Sequence, residues 1–592
     1  MSTTRPVATY DTSVLAAWII PIAAVVAAAG AGFVWLACAV DAVRAGDPLP
    51  AQPLALAAAL HANAAPWPSP TGWSGAGLLT AGTVTAIAGT AARLTRGIRA
   101  RSDVDRRTRY LAAPDERRRL GPKARTEQTR RLVPGLRDLP GLPIAVAIPD
   151  RQPVLQGFED VSVDVWGPRQ GKTATRAVPA LLAAPGPGVA TSNKRDLYDT
   201  TAGLRAERGQ VWCFDPQSVA TAGSPTFVFN PLAAITTAVA AQRLAALFVA
   251  DTREPNARTD PQWDTSGADL LAWLMLAAAV DGRAPGDVWG WVTDPRDDTP
   301  VDLLRAHGHE GPANAIDGVQ HQPEKMRGSV YGTAQRMARP LINPQLLAWV
   351  TPAPGLPLFD PQAFVHSRDT LYALSREGAG SCGAIVAALT SAVCEAAEQA
   401  AMANPDRSGR LAVPMVVVLD EAANVCRWPE LPTLYSHYGS RGILLMTFLQ
   451  SHSQGVAVWG EEGMRTLWSA ATIRVYGGGV ADQRWLSELS ELIGDHDETY
   501  RTVTVRRGER SVSFDTRQRR TLTTAQLMAL PERRAVLLAG GRPVIIEPQP
   551  WWKGPQAATI RAAAQKWADD HAGSAVLHHS RRRRFRRRPG GR

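Results

Sequence analysis

Two long stretches near the start of the chain contain no charged side chain. The first runs from Val14 to Val40, and the second, rich in glycine, alanine and threonine, runs from Trp73 to Ala92. Because about 20 apolar residues cross a bilayer as a helix, both stretches predict transmembrane helices. A cleaved signal peptide, the alternative for the first stretch, has a shorter apolar region. A buried or interfacial helix is the alternative for the second.

Beyond residue 132 the pattern of apolar and polar positions is that of a globular α/β protein. Val161–Trp166 alternates apolar and polar residues and predicts a strand, and Gly171–Leu182 predicts the start of a helix. Val413–Leu419 is an apolar, valine-rich run, which is typical of a buried central strand. Gly442–Gln450 predicts a third strand.

Helical patterns replace this alternation from about Ala233 to Val350. A strand signal returns at Asp369–Ser375, and a helix is predicted from about Ala379 to Met402. Further along, Gly508–Arg520 predicts an exposed loop or hairpin between two strands, and Arg534–Trp552 predicts a closing hairpin with a Gly-Gly turn. The coarse pattern is therefore an α/β domain interrupted by a helical segment.

The formal net charge of +11 is concentrated in two segments. Residues 93–131 carry a local charge of +9, and residues 581–588 contain seven arginines, so the rest of the chain is mildly acidic. The positive-inside rule places the first basic segment, and with two spans also the N-terminus, in the cytoplasm. Anionic lipid headgroups explain this segment without nucleic acid. The arginine-rich tail is predicted to be disordered and to bind DNA, anionic lipid or an acidic partner.

The sequence between the predicted strand and helix, GPRQGKT, has the composition of a phosphate-binding loop. In the general pattern G-x-x-x-x-G-K-[ST], backbone N–H groups at a helix N-terminus hold phosphate oxygens. Here three residues separate the two glycines, so either Trp166 occupies the first glycine position or the loop is one residue shorter. Lys172 is predicted to reach the β- and γ-phosphates and Thr173 to bind Mg²⁺. The nucleotide-binding candidates are Gly167, Pro168, Arg169, Gln170, Gly171, Lys172 and Thr173.

An Asp-Glu pair follows the valine-rich strand. Open α/β sheets bind ligands at the carboxyl ends of their strands, so Asp420 and Glu421 are expected at the phosphate site. Asp420 is predicted to hold Mg²⁺ through water, and Glu421 to polarise the attacking water. A strand end with a solvated turn is the alternative. The loop and the acidic pair together predict an NTPase site that uses ATP and Mg²⁺.

Two further candidates flank the third predicted strand. Gln450 ends it and is predicted to sense the γ-phosphate or to orient water. Arg441 precedes it in the sequence SRG. In ring-shaped P-loop motors an arginine of the neighbouring subunit often stabilises charge in the transition state, and Arg441 is our candidate for that role. An ordinary surface arginine is the alternative.

In this order, the motifs resemble those of the TraG/TraD family of conjugative coupling proteins, the membrane ATPases of type IV secretion. The resemblance covers about residues 160–548 and the two apolar stretches. The shortened phosphate loop departs from the general pattern. The segments that carry the resemblance are GPRQGKT, TSNKRDLYDTTAGLRAERGQVWCFDP, FNPL, LDEAANVCRWPELPTLYSHYGSRGILLMTFLQSHSQ and YGGGVADQRWLSELSELIG.

The resemblance implies an α/β fold, namely a RecA-like P-loop NTPase domain with an inserted all-α domain, preceded by two transmembrane helices. In this sequence that layout predicts a short cytoplasmic N-terminus (1–13), a transmembrane helix (14–40), an extracytoplasmic loop (41–72), a second transmembrane helix (73–92), a basic juxtamembrane segment (93–131), an ATPase domain in two parts (132–232 and 361–552), the all-α insertion (233–360) and a C-terminal helix with a basic disordered tail (553–592).

The function implied by the resemblance is that of a hexameric ATPase in the inner membrane. Such a protein recruits relaxase-bound, single-stranded DNA to a type IV secretion channel and drives its transfer by ATP hydrolysis. Residues 477–484 are one candidate for a channel loop, and a tight strand-to-helix turn is the alternative. Two other functions stay open: the same motor exporting protein effectors, and a membrane scaffold that does not hydrolyse ATP. An FtsK-type pump is disfavoured because only about 40 residues follow Trp552.

Overall fold

The computed structural model describes residues 32–50, 52–62, 64–76, 102–136, 138–252, 261–378, 380–405, 408–506 and 509–585. The chain divides into two compact units, Met1–Arg101 and Ser102–Arg592. In the first unit, helices occupy 32–45, Pro53–His61 and 70–76. The carboxylate of Asp41 accepts hydrogen bonds from the backbone N–H (2.7 Å) and the hydroxyl (2.6 Å) of Ser69, which fixes the start of the third of these helices.

The two predicted transmembrane helices lie mostly outside the described residues. Their described parts, 32–40 and 73–76, are helical. Among the described helices, one is long and apolar enough to cross a bilayer, Gly383–Met402. Most of that helix is buried inside the second unit, where it covers the sheet, so its composition is that of a core helix.

The second unit is built on an eleven-stranded sheet in the order β2-β1-β13-β12-β9-β3-β8-β7-β4-β6-β5. The seven strands from β9 to β5 are parallel, and the other four extend the sheet as antiparallel strands. The predicted α/β class is thus confirmed. The strands of this sheet are β1 Leu142–Ala147, β2 Pro153–Gln156, β3 Ser162–Val165, β4 Gly188–Ser192, β5 Val211–Phe214, β6 Thr370–Leu374, β7 Met415–Leu419, β8 Ile443–Leu449, β9 Ile473–Tyr476, β12 Ala535–Leu538 and β13 Val544–Glu547.

Both faces of the parallel part are covered, which explains the near-continuous apolar runs of β7 and β8. Alternate residues of β7 enter different cores: Val417 and Leu419 lie in one, whereas Val416 and Val418 lie in the other. The helices that cover the sheet or follow its strands are Val178–Ala183, Asp196–Ala206, Gly383–Met402, Ala422–Val425, Leu431–Leu434, Tyr438–Arg441, His452–Ala470, Gln483–Ile493 and Thr524–Met528.

A helical segment connects β5 to β6. Its described helices are Ala238–Thr252, Pro261–Val280, Pro285–Thr293, Thr299–Ala306, Glu310–Gln320, Glu324–Ala338, Pro344–Val350 and Pro361–Val365. Their apolar faces continue the largest core of the sheet. The helical segment therefore shares a core with the sheet, its first and last helices packing against Gly383–Met402, rather than being joined to it by a free linker.

The described part of the basic segment, residues 102–131, packs into the second unit instead of forming a separate juxtamembrane piece. Two of its arginines are buried and form ion pairs of 2.8 Å, Arg117 with Asp150 and Arg125 with Asp160. Buried arginines need such partners, so part of the local charge is neutralised within the fold. The helices of this segment are Asp103–Arg107, Pro114–Arg119 and Pro122–Leu132.

The structure refines one C-terminal prediction and corrects another. The hairpin predicted at Gly508–Arg520 forms, but residues 509–520 are one of its strands: β11 (Glu509–Arg520) pairs antiparallel with β10 (Asp495–Arg506) in a separate two-stranded sheet. The predicted closing hairpin is confirmed by the pairing of β12 with β13. The last helix, Ala557–Phe585, includes the first arginines of the tail that was predicted to be disordered. Arginine is a good helix former, so a helix that begins in alanine-rich sequence continues through it. Residues 586–592 lie outside the described residues.

A buried ion pair joins the helix after β3 to the sheet. The guanidinium of Arg176 lies 3.0 Å from Asp164 on β3, and both side chains are completely buried. Arg176 also donates to the Pro143 carbonyl oxygen on β1 (3.1 Å). The Ser162 hydroxyl and the Trp166 indole N–H donate to the Asp164 carboxylate. The charges therefore have the hydrogen bonds that a buried pair needs.

We predict that Arg176→Ala lowers the free energy of unfolding of the second unit by about 3–5 kcal/mol, because it leaves the Asp164 carboxylate buried without a counter-charge. The measurement is thermal unfolding of the full chain in detergent. Arg465→Ala is the matched control, since Arg465 pairs with Glu462 on the surface (70% and 82% exposed) and its loss should cost less than about 1 kcal/mol. Equal shifts for the two variants would contradict the prediction.

Candidate functional site

The phosphate loop begins one residue later than its general pattern. The backbone N–H of Trp166 donates to the Leu449 carbonyl oxygen (2.9 Å), so hydrogen bonding between β3 and β8 continues through residue 166. The Trp166 side chain is buried. The chain then turns at Gly167, whose N–H donates to the Gly478 carbonyl oxygen (2.9 Å). Trp166 therefore belongs structurally to the strand, and the loop consists of residues 167–171.

Three consecutive glycines, Gly477–Gly479, support this loop. A Cβ atom on Gly477 would overlap the ring of Trp166, and one on Gly167 would overlap the backbone of Gly479. Side chains at these positions would push the loop off the sheet. Residues 477–484 are thus a strand-to-helix turn packed against the phosphate loop, and the Asp482 side chain caps the following helix. The conformation is the strand-to-helix turn that was the alternative for these residues.

Left-handed backbone conformations shape the loop itself. Arg169 has a φ of 62° and Gly171 a φ of 82°. The helix that follows starts at Lys172, and its first turn, Thr173–Ala177, is a π-helix, a widened turn that is frequent at functional sites. The Thr175 backbone N–H (3.0 Å) and hydroxyl (2.9 Å) both donate to the Gly171 carbonyl oxygen. Pro168 and Arg169 are exposed at the open side of the loop.

Four predicted residues meet where β3 and β7 end. The Lys172 ammonium contacts the Glu421 carboxylate and lies 3.1 Å from Asp420 Oδ1. The Thr173 hydroxyl donates to Asp420 Oδ2 (3.1 Å). Both acidic side chains are almost fully buried. In this structure, then, the single positive charge of Lys172 is shared between two carboxylates. When both carboxylates are ionised, the three side chains together carry a net charge of −1.

A fifth predicted residue completes the cluster. Gln450, directly after β8, donates from Nε2 to Glu421 Oε2 (2.8 Å). β8 lies between β3 and β7 in the sheet, which brings Gln450 between the phosphate loop and the acidic pair. Glu421 itself has a φ of 57°, a left-handed conformation that costs a non-glycine residue free energy and that is often found at functional sites.

The donor set suits a magnesium ion bound with a nucleotide. Mg²⁺ prefers oxygen ligands and is commonly held by one or two carboxylates together with substrate phosphates. The Oδ1 atom of Asp420 is buried and accepts no hydrogen bond from the described residues, although Lys172 is near enough for an ion pair. Burial raises the pKa of Asp420 above its usual value, and the Lys172 charge offsets only part of that effect. An ion beside this oxygen would therefore supply the counter-charge that the carboxylate lacks.

Arg441 lies away from this cluster. It ends the short helix before β8, whereas the cluster lies beyond the carboxyl end of that strand, so the length of β8, about 20 Å, separates them. Its guanidinium lies 3.3 Å from Glu398, which His437 also contacts at 3.3 Å. Arg441 therefore cannot reach the phosphate loop of its own chain.

Several residues at the site were missed by the sequence analysis. Asn424 contacts Glu421, and Glu377 contacts Asn424. The ion pair of Asp164 with Arg176 joins the helix after the loop to β3. The motif LDEAAN contains Asn424, but its spacing alone does not show which way the amide points. The buried Arg176 had a weak signal, since an arginine within an otherwise apolar helix needs a partner in the core.

We predict that Glu421→Gln keeps Mg·ATP binding but lowers hydrolysis at least about 100-fold, because an amide orients water less well and cannot accept its proton. Equilibrium binding of labelled nucleotide and phosphate release by the full chain measure the two effects separately. Glu462→Gln, an exposed residue of the same unit, is the control. Loss of binding together with hydrolysis would show that Glu421 acts in binding and not in the chemical step.

Comparison with known proteins gives two kinds of similarity. A family model described as the TraM recognition site of TraD and TraG matches residues 414–532. No curated protein sequence matches the chain. The bacterial conjugative coupling protein TrwBdeltaN70 aligns with a TM-score of 0.51 and 16% identity, over 72% of this chain, in its unbound monoclinic form (91% of that chain) and in its trigonal form in complex with sulphate (92% of that chain). TrwB in complex with ADP and Mg²⁺ aligns with a TM-score of 0.48 and 17% identity, over 66% of this chain and 85% of that chain.

At 16% identity, the structural alignment shows that the fold is shared: a mixed α/β fold with a large, mostly parallel sheet. The family-model match is independent of the fold, and it covers Asp420, Glu421, Arg441 and Gln450. Together they confirm the resemblance to the TraG/TraD family of conjugative coupling proteins that the motifs indicate.

Proposed function

We propose that this chain is a nucleotide-driven coupling protein that binds Mg·ATP at residues 167–173 and uses its hydrolysis to move relaxase-bound, single-stranded DNA into a type IV secretion channel. The observation that carries the proposal is the convergence of Lys172, Thr173, Asp420, Glu421 and Gln450 on one point at the carboxyl edge of the sheet. Three adjacent strands contribute these residues, which is how a P-loop site is assembled.

Each residue has a distinct part in the proposed chemistry. Thr173 and Asp420 would hold Mg²⁺, which neutralises charge on the β- and γ-phosphates. Lys172, now shared between two carboxylates, would turn to the phosphate oxygens. Glu421, relieved of Lys172, would orient the attacking water, with Gln450 keeping its contact to the carboxylate and sensing the γ-phosphate. The backbone N–H groups of the loop complete the phosphate cradle.

Arg441 supports a ring assembly. A residue about 20 Å from its own phosphate loop can act on hydrolysis only from a neighbouring subunit. We therefore propose a homohexamer in which Arg441 of one subunit stabilises the transition state in the next. Its present partner, Glu398, would release it when the interface forms.

The sequence and the resemblance to the TraG/TraD family support the proposed partners and location. The apolar stretches 14–40 and 73–92 support a two-pass anchor in the inner membrane with most of the chain in the cytoplasm. The matched family model describes a TraM recognition site of TraD and TraG, which supports contact of residues 414–532 with a TraM-like partner. Export of protein effectors by the same motor is the second candidate function. A scaffold that does not hydrolyse ATP is the third, but the complete donor set disfavours it.

We predict that the full chain in detergent hydrolyses ATP and that single-stranded DNA stimulates the reaction. Lys172→Ala should lower the rate at least about 100-fold, because it removes the positive charge that stabilises the phosphates in the transition state. Lys566→Ala, an exposed lysine of the last helix, should leave both rates unchanged. Hydrolysis without DNA stimulation would favour the protein-effector function. No hydrolysis by the folded, assembled chain would leave the scaffold as the best description.

The role of Arg441 in trans has its own test. Rings of Arg441→Ala subunits alone, or of Lys172→Ala subunits alone, should be inactive. Co-expressed and randomly mixed, they should regain about a quarter of wild-type hydrolysis, because one interface in four then joins an intact Lys172 to an intact Arg441. A mixture of Lys172→Ala with Asp420→Asn subunits is the control that cannot recover, since both changes affect the same half of the site. No recovery in the first mixture would rule out action in trans.

A further inference from the structure

Three polar residues that the proposed chemistry does not use extend the site along the carboxyl edge of the sheet. Asn424 lies on the short helix after β7, Glu377 in the loop after β6 and Asn193 directly after β4. These three strands are adjacent in the sheet, in the order β7-β4-β6. The side chains form a hydrogen-bonded chain that ends on the Glu421 carboxylate.

Asn424 connects two carboxylates. Its Nδ2 atom lies 2.9 Å from Glu377 Oε1 and 3.4 Å from Glu421 Oε2. Because an amide nitrogen carries two hydrogens, Asn424 can donate to both acids at once. The Asn193 amide donates to the same Glu377 oxygen. The Oδ1 atom of Asn193 is buried and has no hydrogen-bond partner among the described residues, which costs free energy. The hydrogen bond from the same amide to the charged Glu377 carboxylate is favourable and opposes this cost.

Glu377 is held in place by its backbone. The backbone N–H of the preceding residue, Arg376, donates to Gln217 Oε1 (2.7 Å). Gln217 Nε2 in turn donates to the Gly380 carbonyl oxygen (2.7 Å). Gln217 follows β5, so the loop after β6 is tied to a fourth strand. Within the described residues of this loop, Glu377 is an exposed carboxylate that nevertheless accepts two amide hydrogen bonds.

This series of hydrogen bonds affects the orientation of Glu421 once nucleotide binds, because Glu421 then loses its contact with Lys172. In the present structure Lys172 and Gln450 hold its carboxylate from two sides. Once Lys172 turns to the phosphates, Gln450 and Asn424 are the contacts left to orient it. We propose that Asn424 and Glu377 are positioning residues for Glu421, Asn424 by direct contact and Glu377 through Asn424. This inference rests on the proposed function, since it concerns the same hydrolytic step.

The positioning chain also links the helical segment to the site. β6 is the strand at which the main chain returns from that segment, and Glu377 follows it by three residues. In the same loop, the Ser381 hydroxyl donates to Asp251 near the end of the first insertion helix, Ala238–Thr252 (3.4 Å). A displacement of that helix therefore acts on the loop that carries Glu377 and, through Asn424, on the orientation of Glu421.

The test compares steady-state hydrolysis of ATP by the full chain and its variants, with and without single-stranded DNA. Asn424→Ala should lower kcat about tenfold and leave KM unchanged, because the bond to a charged carboxylate matters after the nucleotide is bound. Glu377→Ala should lower kcat less. The double variant should equal Asn424→Ala alone, because Glu377 acts only through Asn424. Glu377→Gln, which keeps an acceptor oxygen, should recover most of the activity. Glu462→Ala is the exposed control.

The outcomes separate this inference from the proposed function. Three outcomes would each overturn the positioning role: additive losses in the double variant, a rise in KM without a fall in kcat, or a Glu377→Gln variant as impaired as Glu377→Ala. In all three, hydrolysis by the wild type would still uphold the proposed function. Absence of hydrolysis by the wild type would overturn both. Thermal midpoints equal to that of the wild type show that the variants fold, so that a loss of kcat reports on the site.

Discussion

The buried pair of Arg176 and Asp164 is the interaction on which the phosphate loop depends. Two buried charges that lack water need each other as counter-charges. Here the ion pair joins the helix after the phosphate loop to β3, the strand that leads into the loop. Arg176 reaches β1 as well, so the helix is fixed to the parallel sheet and to its antiparallel extension at once. A short loop between two elements joined in this way has little freedom. Its conformation is then set by the glycine turn 477–479 beneath it.

The parallel sheet brings the site together by geometry alone. β3, β8 and β7 are neighbours and run in one direction, so whatever follows each strand meets at one edge. Lys172, Gln450 and Glu421 come from these three strands, and none is close to another in the sequence. The same rule separates Arg441 from them, because it precedes β8 and so lies at the opposite edge. Gln450 and Arg441 thus lie at opposite ends of one strand, and only Gln450 belongs to the cluster at the phosphate loop of its own chain.

The positioning of Glu421 extends this edge to β4 and β6. The helical segment enters after β5 and leaves before β6, so its packing bears on the loop that carries Glu377. Because Asn424 and Glu377 orient Glu421 partly from this loop, the position of Glu421 depends on how the helical segment is packed. In the proposed function, coupling between substrate and hydrolysis would need such a connection between two parts of one molecule, and hydrogen bonds across adjacent strand ends would supply it without any large change of fold.

Sequence alone predicted the α/β class and singled out residues 167–173, the acidic pair and Gln450, which the structure brings together, because each is a local pattern: an apolar strand followed by residues of one chemistry. It also indicated the apolar stretches 14–40 and 73–92, whose length is a local property too. Only the tertiary structure decided that the described part of the basic segment packs into the second unit, that residues 477–479 support the loop, and that Asn424 bridges Glu377 to Glu421. These features depend on contacts between residues far apart in the chain, such as Arg125 with Asp160 or Gly477 with Trp166, and no local pattern encodes which distant partner a side chain meets.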